Sequence, residues 1–535
     1  MFSVKRNIQQ LISLMVQHGI RNVVISPGSR NMPLAQSFAN SRDFSCHPVT
    51  DERSAGFFAI GLSVSLNEPV AVCVTSGSAL LNLTSAVSEA YYQQVPLLIL
   101  SADRPEMWIG QLDGQTLPQM GVFQNLVKKE VNLPEPTNAD EEWHCNRLIN
   151  EAILALSHHR NAPVHINIPI TEPFFDCSAT FISTERCIRR NAPFFNEWRE
   201  SQRSLLIIGQ LSIQQARLIS NEVGRLNCPI LCENLSNIQS DNTIFNFDLI
   251  LKEENDCLNP DLVVYIGGHI ISKRVKKWLR KVRPNHCIRI SPEGECSDTF
   301  QCLSNILEMD ASQFLKTLPA KEDSSFLQKW QEAQSLVNRM LAEKNWAYSS
   351  ISVVKTLIEH LPANSTLALG NSSAVRFAQL FPLPPHTHVI CNRGVNGIDG
   401  SLSSAVGFAV GNPNQLTVLL IGDLSFFYDM NALCHTHLPH NLRVLLLNNG
   451  GGEIFRLLPG LEMNHETEKF VLAQHQTTAE GWVKSLQAEY LAAHNMEEVR
   501  NCMGQFFNPN GKFTLCEIFT QQESDKTIYE EIQKI

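Results

Sequence analysis

Asp423 and Asn449 are the residues whose types and spacing most directly describe a reaction centre. The apolar stretch 417–421 has the pattern of a buried strand and ends in Gly422-Asp423-Leu424-Ser425. A helical stretch follows, and a second apolar run, 444–447, ends in Asn448-Asn449-Gly450-Gly451-Gly452. In a parallel sheet both strand ends emerge at the carboxyl edge, where ligands bind. The 26 residues from Asp423 to Asn449 suit one strand–helix–strand crossover. A carboxylate, an amide oxygen and a glycine-loop carbonyl would converge there. These are hard oxygen ligands of the kind Mg²⁺ takes, its octahedron completed by waters and phosphate oxygens. Singly, Asp423 could be a helix cap and Asn-Asn-Gly-Gly a turn. Together, at this spacing, they predict a metal–diphosphate anchor.

Such a pair needs strands to deliver it, and the chain supplies them almost throughout. Short β-rich apolar runs alternate with helical patterns, the signature of parallel α/β sheets. In the first third the runs are 22–26, 70–75, 96–102 and 164–168, with helical stretches such as 54–66 and 80–93 between them. A second series comprises 204–208, 229–232, 262–266 and 287–291, and 326–343 reads as a helix leaving it. The third comprises 366–369, 388–391, 416–421, 444–447 and 513–519. The tract 176–198 loses periodicity and reads as a linker. The expected domains are therefore 1–180, 195–335 and 350–535, three consecutive α/β domains with central parallel sheets. A length of 535 residues agrees with that count at roughly 150 residues per domain.

Composition narrows the function. Hydrophobic residues make up 43% and charged ones 18%, which excludes a disordered or coiled-coil chain. A net charge of −10 disfavours a general nucleic-acid binder, so any anionic ligand must be held by a local cluster of cations. The fifteen cysteines are scattered and include no Cys-x-x-Cys, the pattern of buried thiols in a reducing compartment. No continuous apolar stretch marks a signal peptide or a membrane span. A cytoplasmic protein is expected.

The motifs together resemble a known family. Gly-Asp-x followed some two dozen residues later by Asn-Asn is the pattern of thiamine-diphosphate-dependent enzymes, here with Leu424 where a second glycine often stands. Ser26-Pro-Gly-Ser-Arg30, Asp51-Glu52-Arg53, Ser101-Ala-Asp-Arg-Pro105, Ser272-Lys-Arg274, Gly370-Asn-Ser372, Asn392-Arg-Gly394, Gly397-Ile-Asp-Gly400 and Gly451-Gly-Glu-Ile-Phe455 are similar, in the same order, to the menaquinone-pathway synthase branch. The match runs from about residue 10 to 460; the tail beyond carries no matched motif.

That resemblance implies a first domain that binds the cofactor's pyrimidine, a middle domain without a dinucleotide site and a third domain that binds diphosphate and metal. Glu52 would hydrogen-bond the pyrimidine ring nitrogen and be the catalytic residue, although an acidic residue in a first helical turn also suits the helix dipole alone. Ser78 would lie against the pyrimidine, and Ile398 would support the bent cofactor. Gly422, Leu424 and Ser425 would meet the diphosphate, and Ile454 would complete the cofactor site. Asp423, Asn449 and the Gly451 carbonyl would hold Mg²⁺, with Mn²⁺ as an alternative ion.

In the family a four-carbon fragment from decarboxylated 2-oxoglutarate adds to isochorismate in a Stetter-like 1,4-addition. Both substrates carry several carboxylates, and bidentate Arg contacts suit them. Candidate substrate-binding residues are Arg30, Arg104, Lys273, Arg274, Arg376 and Arg393, with Ser29, Gln115, Ser372 and Phe455. Lys276 and Lys277 follow Lys273-Arg274, which could instead be a basic helix face. No histidine stands in the matched loops, which leaves proton transfer to the cofactor's own amino group. The family also shares each active site between subunits, so a homodimer or homotetramer is implied.

Three alternatives stay open. One is another thiamine-diphosphate 2-oxoacid decarboxylase or carboligase of acetohydroxyacid-synthase type. Another is a nicotinamide-dependent dehydrogenase, since Val264-Tyr-Ile-Gly267-Gly268 has a strand-then-glycine form, though the chain lacks Gly-x-Gly-x-x-Gly. The last is a non-catalytic protein that binds the cofactor.

Overall fold

Runs such as Val70–Val74 and Thr417–Gly422 are apolar at consecutive positions, so both faces of the strand must be covered. Parallel sheets with helices on both sides meet that condition. A computed structural model describes residues 1–344, 346–434, 438–457, 464–508 and 512–534. Its strands form three parallel sheets within two units, Met1–Ala192 with Glu295–Ile306 and Pro193–Gly294 with Leu307–Ile535.

In the first unit the strand order is Ser45–Pro48, Asn22–Ile25, Val70–Val74, Leu97–Asp103, Val164–Pro169, Glu130–Asn132. One face packs Ile8, Leu11 and Phe38 against Ile149 and Ile166. The other packs Ala55 and Ala59 of helix Glu52–Leu66 and Val87 of helix Thr84–Gln93 against Val72 and Ile99. Asp51 caps the helix that begins at Glu52, accepting a hydrogen bond from the Ser54 amide.

The second unit holds two sheets. One runs His388–Cys391, Thr366–Leu369, Thr417–Gly422, Leu442–Asn448, Thr514–Phe519, Glu489–Ala493. Numbered along its own stretch of chain, this order is 2-1-3-4-6-5, identical to the order in the first unit. The strand ends after positions 1 and 3 therefore play equivalent topological parts in both sheets.

The other sheet of this unit runs Thr243–Ile244, Ile230–Cys232, Ser204–Ile208, Leu262–Ile266, His286–Ile290, the doubly wound order 3-2-1-4-5. At its switch point the Gln210 amide donates to the His269 carbonyl (2.9 Å) and the Gly268 amide to the Gln210 carbonyl (2.8 Å). A Cβ on Gly209 would lie 2.2 Å from the Gly268 carbonyl oxygen. The two loops between which a dinucleotide's phosphates would lie are thus bonded to each other.

The tract expected to be a linker ends in structure. Helix Phe195–Glu200 carries Trp198, whose fully buried ring donates Nε1–H to the Pro319 carbonyl at 3.0 Å. The cysteines are free thiols, and burial pushes Cys228 up to about 12. No helix among the described residues is long and apolar enough to cross a membrane.

Candidate active site

Strand Thr417–Gly422 delivers Asp423 to the first turn of helix Asp423–Asp429, with only 3% of its surface exposed. Its Oδ1 accepts from the Leu424 amide (2.6 Å), and its Oδ2 accepts from the amides of Asn449, Gly450 and Gly451 at 3.1, 2.9 and 3.0 Å. One carboxylate thereby sets the shape of the loop after the neighbouring strand. The two asparagines of that loop divide the work. Asn448 donates its amide to buried Glu517 and to the Thr477 carbonyl, so it anchors the loop. Asn449 Oδ1 is buried with no hydrogen-bond partner among the described residues. Beside Asp423, such an unsatisfied amide oxygen fits a hard cation held by oxygens.

Gly451 has φ +150°, and a Cβ there would lie 2.5 Å from the Leu472 carbonyl oxygen, so no other residue fits without a shift. His475 was not signalled by the sequence. Its Nε2 lies 3.4 Å from Asp423 Oδ2, and the carboxylate raises its pKa.

A cavity of about 160 Å³ opens at this edge, lined by Gly422, Asp423, Leu424, Ser425, Asn449 and Gly451. Ile398, Ile454, Ser372 and Phe455 line it too. The Ser425 hydroxyl donates its proton to the Ile398 carbonyl, leaving only its oxygen lone pairs to a ligand. Ser372 has φ +70°, a strained value for a non-glycine residue, held where helix Ser373–Ala378 begins.

A second cavity, about 350 Å³, gathers Lys273, Arg274 and Arg376, and Ile454 lines it as well. Arg376 donates to the Ser372 carbonyl at 2.7 Å. Arg274 donates to the Asp248 carbonyl and to Gln533 Oε1 (2.8 Å). Ser272, at the start of this segment, donates its hydroxyl to the Asp248 carboxylate. Buried Glu233 accepts from the amides of Ile271 (2.7 Å) and Ser272 (2.8 Å), and burial raises its carboxyl to about 7. Glu233, Asp248, Tyr529 and Gln533 line this cavity, and none had been singled out from the sequence. Arg393 is not brought to either cavity wall. It is 7% exposed and donates to Asn371 Oδ1 at 2.9 Å, behind the Asn371 that lines the smaller cavity.

In the first unit the remaining candidates lie beyond strand carboxyl ends. Glu52 Oε2 accepts from Asn82 Nδ2 at 2.9 Å, which ties it to the helix opened by exposed Ser78. The hydroxyls of Thr75 and Ser76 beside that loop are buried without a partner among the described residues. Gln115 is exposed, with its backbone 3.2 Å from where a Cβ on Gly77 would lie. Ser29 is exposed, whereas Arg30 is 4% exposed. Arg104 pairs with Asp113 at 3.2 Å, and both Arg30 and Arg104 reach Glu172. Neither acid was singled out from the sequence: Asp113 lies two residues before Gln115, and Glu172 stands far from any matched motif.

Comparison with known proteins agrees with this geometry. Residues 6–131 match the thiamine pyrophosphate enzyme N-terminal TPP binding domain, 178–369 the middle domain of thiamine pyrophosphate enzymes, and 369–518 the C-terminal TPP binding domain. A 2-succinyl-5-enolpyruvyl-6-hydroxy-3-cyclohexene-1-carboxylate synthase of Phocaeicola vulgatus is 43% identical over 99% of this chain and 98% of its own. The protein of that name from Flavobacterium johnsoniae is 37% identical over 96% of this chain and 95% of its own. That from Cytophaga hutchinsonii is 34% identical over 98% of each. The similarity thus extends through the tail in which no motif was legible. A carboxylate-ordered Asn-Asn-Gly loop, three parallel sheets and whole-length likeness converge: the chain belongs to the thiamine pyrophosphate enzymes, in the family of 2-succinyl-5-enolpyruvyl-6-hydroxy-3-cyclohexene-1-carboxylate synthases.

Proposed function

We propose that the protein is a synthase of this kind, which decarboxylates 2-oxoglutarate and transfers the four-carbon fragment to isochorismate in menaquinone biosynthesis. The observation that carries the reading is the adjacency of two cavities in the second unit. One is edged by Asp423 and the partnerless Asn449 oxygen, the other by Lys273, Arg274 and Arg376, and Ile454 belongs to both. An oxygen-ligand anchor beside a cluster of cations suits a diphosphate cofactor working on carboxylate substrates.

Thiamine diphosphate, when bound, supplies the nucleophilic carbon and the electron sink for decarboxylation. The chain's part is to bind and orient. Asp423, Asn449 and the Gly451 carbonyl would hold Mg²⁺, or Mn²⁺ in its place, against the diphosphate. Gly422, Leu424 and the Ser425 oxygen would face the phosphates, and Ile398 and Ile454 would give the cofactor an apolar support. Glu52 would accept or donate the proton at the pyrimidine nitrogen, with Ser78 alongside. Arg30, Arg104, Lys273, Arg274 and Arg376, with Ser29, Gln115 and Ser372, would hold the substrates' carboxylates and hydroxyls, Arg393 would contribute from behind through Asn371, and Phe455 would pack against their carbon skeletons. Residues 1–180 and 350–535 would be the pyrimidine- and diphosphate-binding domains, and 195–335 a middle domain that binds no dinucleotide. Self-association into a dimer or tetramer would complete each site, and the free thiols suit the cytoplasm.

A comparison of donors tests the reading. With thiamine diphosphate and Mg²⁺ present, the protein should consume 2-oxoglutarate only when isochorismate can accept the fragment efficiently, and should leave pyruvate untouched. Turnover of pyruvate alone would instead identify a carboligase of acetohydroxyacid-synthase type.

A further inference from the structure

Arg30 and Arg104 come from loops more than seventy residues apart and meet at one carboxylate oxygen. Glu172 Oε1 lies 3.1 Å from Arg30 Nη2 and 3.4 Å from Arg104 Nη1. Two guanidiniums side by side repel each other, and burial together with the Arg104 charge lowers the Arg30 pKa. Something must hold them together, and the segment that follows strand Val164–Pro169 is built to do so.

Alternate residues of that segment surround Arg30. The Ile170 carbonyl accepts from Nη1 at 3.1 Å, Glu172 takes Nη2, and the Phe174 ring lies 4.3 Å from the guanidinium carbon. The segment is itself fixed. The Ile170 amide donates to the carbonyl of Asp103, the residue before Arg104, at 3.0 Å. The amide and hydroxyl of Thr171 donate to Glu135, at 3.0 and 2.7 Å, and Lys5 donates to both Glu135 and Thr171. One short stretch of chain thus registers both arginines. The described contacts of Arg104 engage only Nη1, shared between Glu172 and Asp113, and the side chain is 22% exposed, so among the described residues its other N–H donors are left to a ligand. Glu172 is 66% exposed in its side chain, so its charge stays solvated while Oε1 is shared by the two guanidiniums.

We propose that Glu172 is a positioning residue of the substrate-carboxylate site: one of its oxygens tethers Arg30 and Arg104 side by side so that the pair can take a substrate carboxylate. The inference rests on the synthase reading, which makes these arginines substrate ligands, and it adds the residue that sets their spacing. Glu172 does not touch the reacting atoms; it acts through the guanidiniums.

The test uses the full-length protein with thiamine diphosphate and Mg²⁺. Glu172→Ala removes the tether, and Glu172→Gln keeps an acceptor oxygen without the charge. Glu172→Ala should raise KM for one of the two carboxylate substrates about tenfold or more, a loss of about 1.4 kcal/mol, with kcat changed much less and cofactor affinity unaltered. Glu172→Gln should fall between it and wild type, and it serves alone should the alanine variant not fold. Unchanged KM in both variants overturns the proposal. So does a lower KM, which would make Glu172 a competitor of the substrate. If the wild type turns over neither substrate, the synthase reading fails on its own. Glu172 is then judged by calorimetry with succinate as dicarboxylate probe: weaker binding by Glu172→Ala retains the tether, and equal binding removes it.

Discussion

Asp423 orders its loop before any ligand is considered. Four backbone amides converge on its carboxylate, three of them from the neighbouring strand end. Asp423→Ala removes this shared acceptor from all four, and of the three in the loop only the Gly450 amide keeps another among the described residues, Asn448 Oδ1 at 3.2 Å. The variant's affinity for thiamine diphosphate in the presence of Mg²⁺ should fall at least about a hundredfold, near 2.7 kcal/mol by calorimetry; unchanged affinity would refute the anchor. The asparagines separate stability from binding. Asn448→Ala removes a partner of fully buried Glu517 and should cost about 1–3 kcal/mol of stability in thermal unfolding. Asn449→Ala should leave stability nearly unchanged, because its oxygen has no partner among the described residues, yet weaken Mg²⁺-dependent cofactor binding. At the other end of the cofactor, Glu52→Gln should still bind it while failing to exchange the thiazolium proton for deuterium. Normal exchange would remove Glu52 from the mechanism. Asp423 and Asn449 were legible because each ends an apolar strand and a single crossover separates them. Glu172 was not, since its partner Arg30 is 142 residues away and no local pattern joins them.

Elements were legible in proportion to their burial. Central strands such as Leu97–Asp103 and Leu442–Asn448 are buried at every position and read directly as apolar runs. The edge strands Ser45–Pro48, Glu130–Asn132 and Glu489–Ala493 are partly exposed, carry mixed residues and passed unread. Beyond residue 460 the strand 513–519 was legible but the tail's part in the site was not, because it is made through single hydrogen bonds and not through a motif. Helix Gln522–Ile532 places Gln522 Nε2 3.2 Å from the Asn449 carbonyl, while Gln533, just past its end, holds Arg274. The glycine loop is the element most sensitive to change. Gly451→Ala forces a Cβ against the Leu472 carbonyl at a φ that disfavours it. A penalty of about 1–3 kcal/mol is expected, read as a lowered Tm and weaker cofactor binding. An unchanged Tm would mean that the loop relaxes without cost.

The whole chain repeats one architecture. The sheets that carry Glu52 and Asp423 have the same strand order, and each presents its candidates beyond strand carboxyl ends. The two residues belong to different units of the chain. If each site is shared between subunits, mixing inactive Glu52→Gln protein with inactive Asp423→Ala protein under exchange should restore measurable activity, since a mixed dimer contains one intact site. Complete inactivity of the exchanged mixture would argue for sites made within one chain. Net charge illustrates the same scale: the sequence total of −10 gave no hint of affinity for anions, yet Lys273, Arg274 and Arg376 meet at one cavity and Arg30 and Arg104 at one carboxylate. The most direct measurement is the mass of the product formed from uniformly ¹³C-labelled 2-oxoglutarate and unlabelled isochorismate with thiamine diphosphate and Mg²⁺. A product carrying a labelled four-carbon fragment, with labelled carbon dioxide released, is the predicted result. A product without that fragment, or none at all from these two substrates, would contradict the synthase assignment.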